Sequence, residues 1–251
     1  MSNKAIEECM TIIRMANYNA ALLHRCLLTE SCSRDKIETL RKIDLALFKL
    51  FQGATSQAVF KEFLVVGDTL LLGEGNLSFA LSLLKIRAIK ASNMTATTFE
   101  SISDLSLAAK LNAKVLYSYG AQVLYDIDAT KLRQQFGTKL FNNIIFQFPH
   151  VGSREAVCGY NPNYILVKDF MRSARNQLRY DGVVIISAVD NQYYNSIFQF
   201  EKIAEITGFK PPEGYPFEPR AFPGYEHTMA HREGDALENH EKLTTWVFRS
   251  S

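Results

Sequence analysis

No apolar run in this 251-residue chain approaches the roughly 18 residues a membrane-spanning helix needs, so no bilayer span is expected. The opening MSNKAIEECMTI puts acids where an export signal needs an apolar core. Cysteine is scarce: the four are Cys9, Cys26, Cys32 and Cys158, and no two stand in a CxxC pair. That spacing disfavours zinc, and no metal site is expected. So few cysteines in so long a chain predict reduced thiols and a cytoplasmic setting. There is no GxxxxGK[ST], so the cradle of a nucleoside triphosphate is missing. A formal net charge of +2 and no long Lys/Arg stripe in the main part of the chain predict little grip there on a phosphate backbone.

What is present is ordinary in bulk. A 47% hydrophobic and 22% charged composition suits a soluble globular protein with one large domain and a small appendage. Residues 1–58 read as the appendage and 59–251 as the main domain. Ile6, Cys9, Ile13, Ala16, Ala20, Leu23 and Leu27 recur with a helical period between Lys4 and Leu28. Asp35 with Glu38 resembles a capping box for a second helix, whose stripe is Ile37, Leu40, Ile43, Leu47 and Leu50. Gly53 is the expected stop. An αα-hairpin of this kind cannot bury both stripes alone. Packing on the main domain, a dimer interface, and a substrate arm using Arg34, Lys36, Arg41 and Lys42 all suit it; the oligomeric state stays open.

After Val59 apolar β-favouring runs alternate with helical patterns. The first apolar run is Phe63–Leu72, broken by Gly67-Asp68, with its Leu70–Leu72 end leading into a glycine turn; further strands are predicted at Met94–Phe99, Gln122–Ile127, Asn143–Phe148, Val183–Val189 and Leu243–Arg249. Helices are predicted at Ser78–Lys90, Ile102–Tyr117, Ala129–Phe136, Tyr164–Tyr180 and Tyr193–Thr207. That alternation predicts a mostly parallel sheet covered on both faces. Pro211 through Lys242, rich in Pro, Gly, His and charge, reads as a long functional loop.

In such a sheet, ligands bind beyond the C-terminal strand edges. The stretch Leu70–Phe79, LLLGEGNLSF, is strand, glycine turn and helix start in succession. The same edge carries Glu100, Asp128 and the run Gln147-Phe148-Pro149-His150. An acid about 25 residues beyond a glycine turn suits a ribose diol and repels a 2′-phosphate. Ser78 stands where a dinucleotide fingerprint has its third glycine. An adenosine ligand without phosphates fits best, with S-adenosylmethionine the obvious candidate. Plainer roles compete: a solvated loop acid at Glu100, a helix cap at Asp128, a buried satisfied histidine at His150.

Read together, GEGNLSF at 73–79, the acid after ATTF, Asp128-Ala129-Thr130, IIFQFPHVG at 144–152 and FPGYEH at 222–227 resemble the large-subunit ribosomal RNA (uridine-N3) methyltransferases. The resemblance covers about Leu64 to Phe248 and leaves the hairpin outside. It implies a class I, Rossmann-like α/β fold with a mostly parallel seven-stranded sheet, preceded here by the helical hairpin. It implies S-adenosylmethionine as cofactor. Gly73, Glu74, Gly75 and Asn76, with Ser78 and Phe79, would hold the methionine end, Glu100 the ribose, and Asp128 with Ala129 the adenine. Gln147 stands where the family usually has asparagine, Glu100 where aspartate is commoner, and Leu71 where class I enzymes often carry an acid. Glu74 would then serve the methionine ammonium.

Methyl transfer from a sulfonium needs alignment above all, and a uracil N3 must also lose its proton. Gln147 and His150 are the candidate catalytic residues. Phe148, Pro149, Tyr225 and His227 are candidate substrate contacts, with His231 and Arg232 in the same late loop. RNA, with ribosomal RNA the implied target, is the expected partner. A small-molecule or protein methyltransferase, and a binding module without catalysis, are the competing readings.

Overall fold

The computed structural model describes residues 3–28, 33–64, 67–152, 155, 159–229, 232–235 and 242–250. His231 and Cys158 lie outside these, and the side chain of Arg232 is likewise not described. The chain opens with two long helices, α1 (Asn3–Leu28) and α2 (Arg34–Phe63). They pack on each other, and the buried Asn19 amide donates to the Leu40 carbonyl at 2.9 Å. Met15, Tyr18, Leu45 and Phe48 of this hairpin remain exposed.

Two local expectations change here. The cap of α2 is Ser33, whose Oγ accepts from the Lys36 N–H at 3.3 Å; Asp35 sits inside the first turn, where its charge suits the helix dipole. Gly53 does not stop α2. Beyond it Ser56, Ala58, Val59 and Phe60 are buried, and that burial outweighs the ~1 kcal/mol a mid-helix glycine costs. Reduced thiols are not found at Cys26, which is disulfide-bonded; a disulfide needs two cysteines close in space, which sequence spacing does not reveal.

The second half of α2 docks onto the main domain. Ser56 Oγ donates to the Pro216 carbonyl at 2.7 Å and accepts from the Glu218 N–H at 2.9 Å. The Phe60 ring meets Phe79 at 5.3 Å and Phe222 at 5.5 Å, both edge-on. Phe60 is fully buried, so Phe60→Ala should cost about 3–5 kcal/mol. Urea denaturation checks this, and a loss under about 1 kcal/mol would mean that α2 is not part of the domain's core.

The alternating part runs β1 (Thr69–Leu72), α3 (Ser78–Lys85), β2 (Met94–Thr97), α4 (Leu107–Ser118), β3 (Gln122–Leu124), α5 (Leu132–Phe136) and β4 (Phe141–Gln147). It continues with α6 (Pro162–Arg175), β5 (Leu178–Val189), α7 (Gln192–Phe198), α8 (Phe200–Thr207) and β6 (Glu213–Pro216). A short ribbon, β7 (Thr228–Met229) with β8 (Arg232–Asp235), precedes β9 (Leu243–Arg249). The single helix expected over 193–207 breaks at Gln199, whose φ of 46° interrupts the helical hydrogen bonding. Helix α4 starts five residues later than expected because Ser106 caps it, accepting from the Ala109 N–H. Gly182, expected beyond a helix, lies inside β5, where a Cβ would stand 2.6 Å from the Asn142 carbonyl oxygen. The expected long loop over 211–242 holds three strands.

The sheet has seven strands in the order β3-β2-β1-β4-β5-β9-β6. β1 pairs in parallel with both β2 and β4, and β9 enters antiparallel between β5 and β6. Chain order reverses between β1 and β4, which makes their C-terminal ends the switch point where ligands bind in open α/β sheets. Helices α2, α3 and α4 share one apolar cluster with one face of the sheet. Helices α5, α6 and α8 share the second cluster. The mostly parallel seven-stranded sheet is the one expected.

Candidate cofactor and acceptor site

The glycine turn begins at Gly73, with φ 63°. Glycine is required there twice over: the conformation is left-handed, and a Cβ would stand 2.6 Å from the Phe146 ring. The Glu74 N–H donates to the Thr97 carbonyl at 2.9 Å, tying the turn to the end of β2. Gly75 is exposed at its crest. Leu77, at φ 61°, carries the chain into α3 without a side-chain cap of its own.

Two residues of the turn cap that helix instead. Asn76 Oδ1 accepts from the Ser78 N–H at 3.0 Å, and Glu74 Oε2 accepts from the Ala80 N–H at 3.1 Å. Glu74 is buried, and burial pushes its carboxyl up to about 7 against the opposing pull of the Ala80 N–H. A carboxyl poised this way suits a cationic partner more than water does.

The late loop is fastened to the same turn. Asn76 Nδ2 donates to the Glu226 carbonyl at 3.1 Å, and Ser78 Oγ both donates to that carbonyl and accepts from the Glu226 N–H. Asn112 of α4, which the sequence did not single out, donates to the Asn76 carbonyl at 2.8 Å. Thus GEGNLSF and FPGYEH, about 150 residues apart, form one unit. Ser78 and Phe79 serve that unit: the Ser78 hydroxyl holds the late loop, and the Phe79 ring packs on Phe222 and Tyr225 at 5.2 Å each.

Beyond β2 and β3 the loops interlock. The Asp126 N–H donates to the Glu100 carbonyl and the Ile127 N–H to the Thr98 carbonyl. Glu100 is half-buried, and next to it Phe99 is 67% exposed, an apolar surface at the site's edge that the sequence pattern left unmarked. Asp128 does cap the following 3-10 turn: Oδ1 accepts from the Thr130 N–H and Oγ1, and Oδ2 pairs with Lys131 at 3.0 Å. Burial alone would raise its carboxyl, but Thr130 and Lys131 hold it below the usual range. Ala129 is buried in the second apolar cluster.

At the tip of β4, both amide atoms of Gln147 are buried without a hydrogen-bond partner among the described residues. Phe148 follows with φ 48°, a strained conformation for a bulky residue. Its ring meets His227 at 4.7 Å and Phe217 at 5.5 Å. The Tyr225 hydroxyl lies 3.0 Å from His227 Nδ1. The structure therefore brings Phe148, Tyr225 and His227 together, with Phe217 as a member the sequence did not mark. Pro149 is buried, and His150 is exposed, which removes the buried-histidine reading. The Gly152 N–H donates to His150 Nδ1 at 2.8 Å, so the neutral ring carries its proton on Nε2 and presents a donor there. Among the described residues no cluster of His, Cys, Asp and Glu could hold a metal, and no helix is long and apolar enough to cross a membrane.

Residues 70–229 match the family model described as BMT5-like rRNA (uridine-N3-)-methyltransferase. The chain belongs to that family. It carries the family's class I, S-adenosylmethionine-dependent methyltransferase domain, in keeping with the sheet order above. An uncharacterised Arabidopsis thaliana protein is 31% identical over 166 residues, covering 62% of this chain and 78% of that one. The 25S rRNA (uridine(2634)-N(3))-methyltransferase of Saccharomyces cerevisiae is 24% identical over 228 residues, covering 67% and 68%. A Mus musculus ferredoxin-fold anticodon-binding domain-containing protein 1 homolog is 31% identical over 198 residues; the match covers 72% of this BMT5-like chain but only 31% of the mouse protein.

Proposed function

We propose that this chain transfers a methyl group from S-adenosylmethionine to N3 of a uridine in ribosomal RNA. The observation that carries the proposal is the family match over residues 70–229, and the Gln147 amide at the switch-point edge, without a partner among the described residues and beside the Phe148–Tyr225–His227 cluster, suits it. An amide presents one donor and one acceptor in a plane, which matches the edge of a pyrimidine imide. Family membership supports the same acceptor.

The residues present fit the cofactor. The turn at Gly73 admits no side chain, and the buried Glu74 carboxyl suits an ammonium group. Glu100 would accept hydrogen bonds from ribose hydroxyls, and Asp128 with Ala129 would border the base. When bound, S-adenosylmethionine supplies a methyl group on a sulfonium, open to in-line displacement. The protein's share is to align the acceptor, whose N3 proton passes to solvent as the N–CH3 bond forms and the S–CH3 bond breaks. Gln147 Nε2 donates to a uracil carbonyl oxygen, where charge collects as the proton leaves. Phe148 and Tyr225 supply stacking surface for the base. With Nε2 protonated, His150 acts as a donor toward a carbonyl or phosphate oxygen, and His227 is oriented by Tyr225.

A tritiated-methyl transfer assay against ribosomal RNA, total protein and a metabolite extract tests this. Label should enter RNA and digest to methyluridine. Label only in small molecules or protein would replace the acceptor, and no cofactor binding by calorimetry would leave a module without catalysis.

A further inference from the structure

The window from Lys131 to Arg179 holds eight Lys and Arg against two Asp and Glu, an excess of six in a chain whose total is +2. The remainder of the chain is therefore net negative. These cations do not form a run. Packing of α5 and α6 on one face of the sheet brings three of them, Lys131, Arg133 and Arg172, to one groove. Between the 3-10 turn at Ala129–Lys131 with α5 on one side and α6 on the other lies a groove of about 630 Å³, lined by Thr130, Lys131, Arg133, Asp169, Arg172 and Asn176 among others. Its walls are fixed to each other: Ser173 Oγ accepts from the Leu132 N–H at 2.8 Å.

We propose that this groove is the track for the phosphate backbone of the acceptor RNA, with Arg133 and Arg172 as its principal phosphate contacts. The inference rests on the RNA-methyltransferase reading above. Arg133 is exposed and forms no ion pair among the described residues. Arg172 reaches Asp169 at 3.5 Å with more than half its side chain in solvent, a pairing weak enough for a phosphate to replace. The walls also offer hydroxyl and amide groups at Thr130, Ser173 and Asn176, the usual neutral companions of arginine at phosphate and sugar. The groove begins where the cofactor edge ends. Lys131, in its wall, is held at 3.0 Å by Asp128, the residue placed at the adenine. From Lys131 the groove runs along α6 toward the start of β5 at Leu178, and the negative remainder of the surface turns a polyanion toward this face.

The test compares wild type with Arg133→Ala/Arg172→Ala and Arg133→Lys/Arg172→Lys. It uses fluorescence anisotropy with a labelled ribosomal RNA fragment across a salt series, KM and kcat for methyl transfer, and cofactor Kd by calorimetry as a check on folding. The alanine pair should lower the slope of log Kd against log salt by about 1.4, at ~0.7 per lost contact on a single strand. The KM for RNA should rise about tenfold or more while kcat and cofactor Kd hold. The lysine pair should keep the wild-type slope. A wild type that labels RNA while the alanine pair keeps both slope and KM overturns the groove and leaves the enzymatic reading intact. A lowered slope in the alanine pair, beside a wild type that labels no RNA, would keep the groove as an RNA contact and sink the uridine acceptor. Competition by polyglutamate as strong as by RNA of equal charge would also overturn the proposal.

Discussion

Replacing Gln147 with leucine should stabilise the protein and abolish methyl transfer in one step. Both amide atoms are buried with no partner among the described residues. A buried polar group left unpaired costs about 1–3 kcal/mol, and an apolar side chain of similar volume removes that cost. A gain of about 1–2 kcal/mol is therefore expected, read as a rise of several degrees in Tm. The same change removes the donor offered to a uracil oxygen, so kcat should fall by about 100-fold or more, the usual effect of losing one stabilising donor. Cofactor affinity should hold, because Gln147 lies on β4 and the turn proposed to hold the methionine end follows β1. Thermal melts, calorimetry and the methyl assay read the three effects separately. Destabilisation by more than about 1 kcal/mol would show that the amide already has a partner in the folded protein, and unchanged kcat would remove it from the site.

Replacing Glu74 with glutamine should remove a pH dependence. The carboxyl is pushed from 4.5 up to about 7 by burial. A folded-state pKa above the unfolded value means the fold holds this proton more tightly. The associated stability is complete below about pH 4.5 and is lost as pH rises through about 7. At 1.36 kcal/mol per pKa unit the span is on the order of 3 kcal/mol. Melts between about pH 5 and pH 8 should show wild type losing stability relative to Glu74→Gln as pH rises. A ligand ammonium at this carboxylate draws the pKa back down, so cofactor binding near pH 6 should release close to one proton, and about half of one near pH 7. Calorimetry in two buffers of different ionisation enthalpy measures that release. In Glu74→Gln the release should vanish and Kd should weaken by about 10-fold or more, the size of one charge-assisted hydrogen bond. Equal proton release in both proteins would place the cation elsewhere.

How far the sequence could be read varied with the kind of signal. Strand and helix order was legible because alternation between apolar runs and helical stripes is local, and the GEGNLSF turn was legible because glycine marks where backbone must turn. Helix ends were less so. Gly53 is a local stop signal that burial of Ala58, Val59 and Phe60 overrode, while Gln199 broke a helix with no local signal at all. Pro211–Lys242 looked like loop because strands β6 to β8 are short and rich in glycine, proline and charge; β6 gains its place by pairing with β9.

Candidate residues for the site were named from sequence, but their relations were not. That Ser78 and Asn76 clasp the Glu226 backbone concerns groups about 150 positions apart, and no periodicity reports such a contact. The lysine and arginine residues of the α5–α6 face illustrate the same limit. As a linear pattern they are too dispersed to be seen as a stripe, so the main domain read as poorly suited to phosphate. By itself the sequence determined the class of fold, the place along the chain of strands β1 to β5 and β9, and the place of the glycine turn, because hydrophobic period and turn chemistry act between near neighbours. Only the tertiary structure decided which amide is left without a partner, which carboxyl is lifted by burial and which cations share a groove. Burial and electrostatic field depend on everything packed around a group, whatever its distance along the chain.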